Sequence, residues 1–344
     1  MKFKKFDFNN IFKNLSTKIV YVIGNARGGS TISNTLIGIH PRIYEINWND
    51  KFFIRKYHKI SNFTIFREKI LRGGKYFDKK FLMKNFGQSF LKEFENFLET
   101  IFLKKNFKYL FLLPVFMHWI HNSNRPKLDD ISYFCYKTNT WEGSDLIKQN
   151  LPKTKLIIIQ RNSLSVSLSM AKAFSRQTNQ KINNEAIIRG ALSWNRNAIE
   201  FKKILTSYPK DSHLVSYEQI ILNHHKLNEI YHFLHLNKIS EKFFLSQTRN
   251  IYYKKTSLKN ETKTKKKGIQ FEGLNRWKYE LNETQIKIIN IFTNFGQYLF
   301  GKKNSHERYL KKLIFIFNSS SKTVLLIKLI KDIAISLKFK SKHL

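Results

Sequence analysis

The chain has 344 residues, and its 62 lysines and arginines against 24 aspartates and glutamates give a formal net charge of +38. A hydrophobic fraction of 42% with 31 phenylalanines excludes a wholly disordered basic chain, and the single cysteine excludes an intramolecular disulfide framework or a cysteine-rich zinc site. The charge surplus predicts a surface that attracts nucleotides, nucleic acid, acidic lipid or sulfated substrates, although compositional drift explains it equally well.

The two ends of the chain are basic and differ in pattern. Residues 1–17 form a basic segment that lacks the continuous apolar core of a signal peptide. Residues 301–344 form a basic extension in which Thr323–Phe339 has apolar residues at helical spacing. That spacing predicts packing against the protein, or binding to an anionic membrane surface. The longest apolar run, Tyr109–Ile120, is too short to cross a bilayer, so we expect a cytoplasmic protein with peripheral membrane association as the alternative.

Short apolar runs alternate with helical patterns along the chain. Strands are predicted at Ile19–Ile23, Ser132–Tyr136, Lys155–Gln160 and His213–Tyr217, and helical patterns cover Ser30–Ile39, Leu164–Phe174 and Leu222–Leu236. Nearly continuous apolar strands separated by helices are typical of a parallel sheet with helices on both faces. The sequence therefore predicts an α/β fold.

One domain is predicted over residues 18–300. It carries an insertion at 51–130 that is rich in phenylalanine and lysine and mostly helical in period. Insertions at the carboxyl edge of a parallel sheet commonly cover the substrate, which predicts an acceptor lid. Lys254–Lys267 has seven lysines and no apolar face, which predicts a mobile loop.

A first anion site is predicted where the first strand meets the first helix. Residues 24–31 read GNARGGST, so glycines allow the backbone N–H groups to converge, and Ser30 and Thr31 add hydroxyls at the helix N-terminus. The ATP-binding pattern GxxxxGK[ST] is nearly present, but Ser30 stands at the lysine position and Arg27 supplies the cation instead. The alternative is an ordinary turn between strand and helix.

A second anion site is predicted after the strand KLIIIQ, which delivers Arg161. An arginine fixed at a strand end can bind a phosphate bidentately, and Ser169, eight residues later on a helix, can complete the site. Ser165 and Ser167 are alternatives for that serine. Arg161 could instead cap a helix or pair with Glu218.

Both motifs resemble those of sulfotransferases that use 3′-phosphoadenosine 5′-phosphosulfate (PAPS). The run VIGNARGGSTISNTLIGIHP is similar to their 5′-phosphosulfate loop, although Gly28 stands where serine is common and Ser30 where threonine is common. KLIIIQRN with Ser169 resembles their 3′-phosphate motif, with Ser163 in place of the usual proline. HLVSYEQIILNHHKLNEIYHFLHL and KKKGIQFEGLNRWKYELNETQ resemble two later family segments, so the resemblance covers roughly residues 18–300 in order.

The resemblance implies a P-loop-like fold and a role for each matched residue. Arg27 would stabilise the sulfuryl and bridging oxygens, and no metal is implied. The residues implied in nucleotide binding are Arg27, Gly28, Gly29, Ser30 and Thr31 at the 5′-phosphate, Arg161 and Ser169 at the 3′-phosphate, and Tyr217, Lys266, Lys267 and Gly268 elsewhere on the nucleotide.

Three residues are candidates for accepting the proton of the acceptor hydroxyl. Glu45 follows His40-Pro41, where many sulfotransferases carry a carboxylate that deprotonates an alcohol, and it is the first candidate. His40 is the second and Asp50 the third, while Lys137 could line the site.

The sequence thus predicts transfer of a sulfuryl group from PAPS to a hydroxyl of a carbohydrate, lipid or similar acceptor by in-line displacement. One alternative is a P-loop nucleotide kinase or related phosphotransferase, which Ser30 disfavours. The other is a non-catalytic protein that binds nucleic acid or a membrane surface through its basic residues; no specific nucleic-acid partner is expected.

Overall fold

A computed structural model describes residues 7–46, 61–72, 79–104, 107–122, 124–138, 144–179, 181–249, 252–253, 266–267 and 272–301. The strands are β1 (Ile19–Gly24), β2 (Ile43–Ile46), β3 (Tyr133–Thr138), β4 (Lys155–Gln160), β5 (Ser212–Ser216), β6 (Tyr252–Tyr253) and β7 (Lys266–Lys267). The helices are α1 (Phe8–Leu15), α2 (Ser30–Ile37), α3 (Phe63–Arg72), α4 (Lys79–Leu103), α5 (Phe107–His121), α6 (Ser144–Asn150), α7 (Ser163–Thr178), α8 (Asn184–Ser207), α9 (Tyr217–Leu222), α10 (His224–Phe233), α11 (Glu241–Arg249), α12 (Glu272–Asn275), α13 (Trp277–Glu280) and α14 (Glu283–Leu299).

Five strands form one parallel sheet in the order β2-β3-β1-β4-β5, and helices flank it. β1 and β4, the two strands that precede the predicted anion sites, are neighbours in that order. Every residue of β1 is buried, which explains its continuous apolar sequence. The predicted fold class is therefore confirmed.

The chain divides into two compact units. The first unit comprises the described parts of 1–23, 30–157 and 230–239. In it β1 pairs with β3 so that Val20 lies opposite Cys135, and β2 pairs with β3 so that Tyr44 lies opposite Phe134. Cys135 is buried.

The phenylalanines of the N-terminal segment and of the insertion form an aromatic core in the first unit. Phe8 of α1 stacks on Phe97 of α4 with ring centroids 5.2 Å apart, and Phe12 lies 5.3 Å from Phe116 of α5. The N-terminal segment predicted only as basic therefore contains a helix whose apolar face is buried.

The described part of the insertion is helical, as predicted. α4 bends at Gly87, whose φ of 83° is in the left-handed region that favours glycine. Among the described residues no helix has both the length and the apolar character to cross a bilayer. Residues 302–344, including Thr323–Phe339, lie outside the described residues, as do residues 254–265 of the loop predicted at Lys254–Lys267. The last two residues of that prediction, Lys266–Lys267, form the strand β7 instead of a loop.

The second unit comprises the described parts of 24–29, 158–229 and 240–344. Its core lies among α7, α8 and α14, where Leu168, Ile187 and Phe292 are buried together. Asn162 caps α7 by accepting the N–H groups of Leu164 and Ser165.

All four predicted strands are present, but several elements were not predicted, among them β2 and α8. β2 has only four residues, and it follows His40-Pro41 where a helix end was expected. The domain boundaries predicted at residues 17, 300 and 51–130 stay predictions.

Candidate functional site

The loop between β1 and α2 turns tightly, as its glycines predicted. The Gly28 N–H donates to the Asn25 carbonyl oxygen at 2.8 Å. Arg27 and Gly29 both have positive φ, 65° and 89°. The backbone is therefore held in the curled form that turns N–H groups toward one side of a loop.

Gly29 is required by a close approach to Tyr217 in the second unit. A Cβ atom at Gly29 would lie 2.2 Å from Cε2 of the Tyr217 ring, a distance at which the two atoms overlap. Tyr217 is buried, and that burial raises the pKa of its phenol, an effect that the charge of Arg161 partly offsets. A side chain larger than hydrogen cannot be added at Gly29 without moving the ring.

Arg161 links three parts of the second unit. Its Nη1 donates to the Arg27 carbonyl oxygen at 3.2 Å and its Nη2 to the Gly273 carbonyl oxygen at 3.0 Å. The guanidinium carbon lies 4.6 Å from the centre of the Tyr217 ring, which is cation–π geometry. Its Nε is buried and has no hydrogen-bond partner among the described residues.

Arg27 and Ser169 are also brought together. The exposed Arg27 side chain donates from Nε to Ser169 Oγ at 3.3 Å. The two predicted anion motifs therefore meet in the second unit, through Arg27 and Arg161 on one side and Arg27 and Ser169 on the other.

The three candidate serines of α7 differ in their contacts. Ser165 Oγ donates to the Leu274 carbonyl oxygen at 3.3 Å, and Ser167 is fully buried with its backbone against Gly190. Ser169 is the one of the three that contacts Arg27. Glu218 accepts from the Asn162 backbone N–H at 3.0 Å, and the predicted alternative, a pair between Glu218 and Arg161, is not what the structure has.

In the first unit, the first turn of α2 carries the other predicted phosphate ligands. Ser30 is buried and Thr31 is exposed. Lys137, at the end of β3, donates from Nζ to Thr31 Oγ1 at 2.5 Å. Burial lowers the pKa of Lys137, and the nearby carboxylate of Glu45 acts in the opposite direction.

Glu45 lies on β2, the strand that was not predicted. Its Oε1 accepts from Thr35 Oγ1 at 2.6 Å and from Asn34 Nδ2 at 3.4 Å. Asn34 is fully buried and its Oδ1 in turn accepts from Cys135 Sγ at 3.2 Å. The carboxylate is therefore oriented by two side chains of α2, neither of which was singled out from the sequence.

His40 has both ring nitrogens engaged with the backbone. Nδ1 accepts from the Arg42 N–H at 3.1 Å, and Nε2 lies 3.0 Å from the Asn237 carbonyl oxygen. This pattern fits a neutral ring with its proton on Nε2. Burial lowers the pKa of His40, and the arrangement favours a role in holding the backbone after α2 rather than in proton transfer.

The remaining predicted residues are Lys266, Lys267, Gly268 and Asp50. The backbone of Lys266 and Lys267 forms β7, which pairs antiparallel with β6. Gly268 and Asp50 lie outside the described residues. The roles of all these residues stay predictions.

Comparisons with known proteins point to one family. Residues 20–241 match the model of a family described as the sulfotransferase family. No curated protein sequence matches the chain. The chain is similar to the solved "Sulfotransferase Domain from the Curacin Biosynthetic Pathway", with a TM-score of 0.46, 14% identity, and coverage of 79% of this chain and 95% of that one. It is also similar to the sulfotransferase domain of the Synechococcus PCC 7002 olefin synthase, with a TM-score of 0.44, 14% identity, and coverage of 80% and 94%. The family assignment rests on the match over residues 20–241.

Proposed function

Because this chain belongs to the sulfotransferase family, we propose that it transfers a sulfuryl group from PAPS to a hydroxyl of a carbohydrate, lipid or similar acceptor. The observation that carries the proposal is the cluster of Arg27, Arg161 and Ser169. Two of these residues follow the carboxyl ends of neighbouring parallel strands, where ligands of α/β folds bind. PAPS, when bound, supplies the sulfuryl group and departs as adenosine 3′,5′-bisphosphate.

Arg161 is suited to a phosphate because hydrogen-bonding capacity is left on its guanidinium. Two of its five N–H groups donate to the carbonyl oxygens of Arg27 and Gly273. The buried Nε–H has no acceptor among the described residues, and a buried donor without a partner costs about 1–3 kcal/mol. A phosphate oxygen would relieve that cost, which supports binding of the 3′-phosphate here.

The loop at residues 24–29 is suited to the 5′ side of the same nucleotide. Its tight turn aims backbone N–H groups as anion-binding loops do, and α2 begins directly after it at Ser30. Arg27 adds an exposed cation, which can stabilise the negative charge that develops on the departing phosphate in the transition state. Ser30 at the position of the P-loop lysine argues against a nucleoside triphosphate as the donor.

Glu45 is the residue best oriented to accept the acceptor's proton. Thr35 and Asn34 bind the same oxygen, Oε1, so the direction of the carboxylate is fixed. Both ring nitrogens of His40 are hydrogen-bonded to the backbone, of Arg42 and of Asn237, which supports Glu45 rather than His40 as the general base. In this scheme Glu45 removes the proton of the acceptor hydroxyl.

Two further proposals concern the insertion and the C-terminal segment. The helical insertion is proposed to cover the acceptor, and Thr323–Phe339 is proposed to pack against the protein or, as the alternative, to bind an anionic membrane surface. These proposals rest on the sequence pattern and on the apolar character of the insertion.

Two experiments test the proposed function. Thermal denaturation should show stabilisation by adenosine 3′,5′-bisphosphate and none by ATP or AMP at the same concentration. Radiolabelled sulfate should then pass from PAPS to a member of a glycan and lipid panel. Greater stabilisation by ATP would favour a kinase, and salt-sensitive nucleic-acid binding without nucleotide selectivity would favour a non-catalytic basic protein.

A further inference from the structure

The peptide group that joins Arg161 to Asn162 is held at both of its polar atoms. Its carbonyl oxygen, on Arg161, accepts from the indole Nε1 of Trp194 at 2.8 Å. Its N–H, on Asn162, donates to Glu218 Oε1 at 3.0 Å. The peptide lies just beyond β4, which ends at Gln160, and both of these hydrogen bonds are made with side chains instead of with a neighbouring strand.

Both of these side chains are themselves fixed. Trp194, on α8, is 3% exposed, and α14 approaches it so closely that a Cβ atom at Gly296 would lie 2.8 Å from Trp194 Cζ3. The adjacent Asn195 accepts the Gly296 N–H at 2.6 Å, which anchors α14 at this point. The second carboxylate oxygen of Glu218, Oε2, accepts a hydrogen bond from Ser216 Oγ at 3.1 Å.

The carbonyl carbon of this peptide is bonded to the Arg161 Cα atom, so the two hydrogen bonds restrain the position of the backbone from which the Arg161 side chain extends. A shift of this backbone would move the Arg161 guanidinium away from the Tyr217 ring, 4.6 Å away, and from the Arg27 and Gly273 carbonyl oxygens. A binding group must be held within about 0.5 Å of its productive position to contribute fully.

We infer that Trp194 and Glu218 are positioning residues that fix the Arg161–Asn162 peptide so that Arg161 binds the 3′-phosphate of the nucleotide. The inference rests on the proposed function. Neither side chain contacts the nucleotide in this scheme; each acts through the peptide. The ligand property they control is discrimination between a 3′-phosphorylated adenosine nucleotide and one without that phosphate.

The test is the ratio of the dissociation constants of AMP and adenosine 3′,5′-bisphosphate, measured by calorimetry on the full chain. Loss of one hydrogen bond to the peptide should lower this ratio about 3- to 10-fold in Trp194→Phe, mainly through weaker bisphosphate binding. Trp119→Phe is the matched control, because Trp119 is also buried and its indole also donates to a backbone carbonyl, that of Pro126 at 3.0 Å. We expect Trp119→Phe to leave the ratio unchanged although it loses stability by a similar amount.

Glu218 provides a second test at the other end of the peptide. Glu218→Gln retains an oxygen that can accept the Asn162 N–H, whereas Glu218→Leu does not. The ratio should fall in Glu218→Leu and recover in Glu218→Gln, which a general loss of stability would not produce. This pair also decides the matter if Trp194→Phe does not fold.

The outcomes separate this inference from the proposed function. An unchanged ratio in Trp194→Phe and Glu218→Leu, with a lowered ratio in Arg161→Ala, overturns the inference alone. An equal fall in Trp119→Phe also overturns it. A wild-type protein that does not prefer the bisphosphate overturns both.

Discussion

Replacing Gly29 by alanine tests the geometry on which the nucleotide site depends. Two costs add at this position. The φ of 89° is unfavourable for any residue with a Cβ atom, by about 1–2 kcal/mol. The new atom would also lie 2.2 Å from the Tyr217 ring, and the shift needed to relieve such overpacking costs about 1–3 kcal/mol more.

Gly87→Ala separates the two costs. Gly87 has a similar φ of 83° but no atom within 4 Å of a built Cβ among the described residues. We therefore expect a loss of about 1–3 kcal/mol at Gly87, whose ψ of 171° with that φ is nearly exclusive to glycine, and a larger loss of about 2–5 kcal/mol at Gly29, in the free energy of unfolding measured by denaturant titration. Gly29→Ala should also weaken binding of adenosine 3′,5′-bisphosphate, because the displaced ring lies under the Arg161 guanidinium.

A double-mutant cycle attributes the difference to Tyr217. Tyr217→Ala removes the overlapping ring, so the loss in Gly29→Ala/Tyr217→Ala should be smaller than the sum of the single losses by about 1–3 kcal/mol. Equal losses at Gly29 and Gly87, or additivity in the cycle, would refute the reasoning.

Three further predictions follow from the site and the core. Arg27→Ala should lower kcat about 100- to 1,000-fold with a smaller effect on donor affinity, and Arg27→Lys should recover part of the rate; an unchanged kcat in Arg27→Ala would remove its role. Glu45→Gln should lower kcat about 100-fold or more, while the donor affinity measured by calorimetry stays unchanged. A normal kcat in this variant would show that Glu45 is not the general base. Burial lowers the pKa of His118 to about 4, so below pH 6.5 the unfolded chain binds more protons than the folded protein. The free energy of unfolding should therefore fall between pH 6.5 and pH 4, by up to about 3 kcal/mol. His118→Phe should flatten this pH dependence in urea titrations, and an unchanged dependence would contradict the prediction.

The sequence predicted the parts of the fold and site that are local in the chain. β4 was predicted with its observed bounds because its four central residues, Leu156–Ile159, are all apolar and all buried, and Arg161 follows the strand directly. The turn before α2 was predicted because positive φ and a close approach require glycine, and Gly29 meets both conditions.

The parts that depend on distant contacts were not predictable in this way. β2 has the sequence IYEI, which is short and contains a charged residue, so its own pattern does not predict a strand. It is a strand because it pairs with β3, and that pairing cannot be read from the local sequence. Trp194 contacts a carbonyl 33 positions away, and a tryptophan on an amphipathic helix usually indicates only packing. The engagement of both His40 nitrogens likewise depends on Asn237, which is 197 positions away.

The most direct test of the central claim is calorimetric titration of adenosine 3′,5′-bisphosphate into the wild-type protein and into Arg161→Ala. We predict one site in the wild type that binds the bisphosphate at least 10-fold more tightly than AMP, and loss of that preference in Arg161→Ala, since charge-assisted hydrogen bonds to phosphate contribute about 1.5–3 kcal/mol. Equal affinity of the wild type for the two nucleotides, or a preference that survives in Arg161→Ala, would contradict the account.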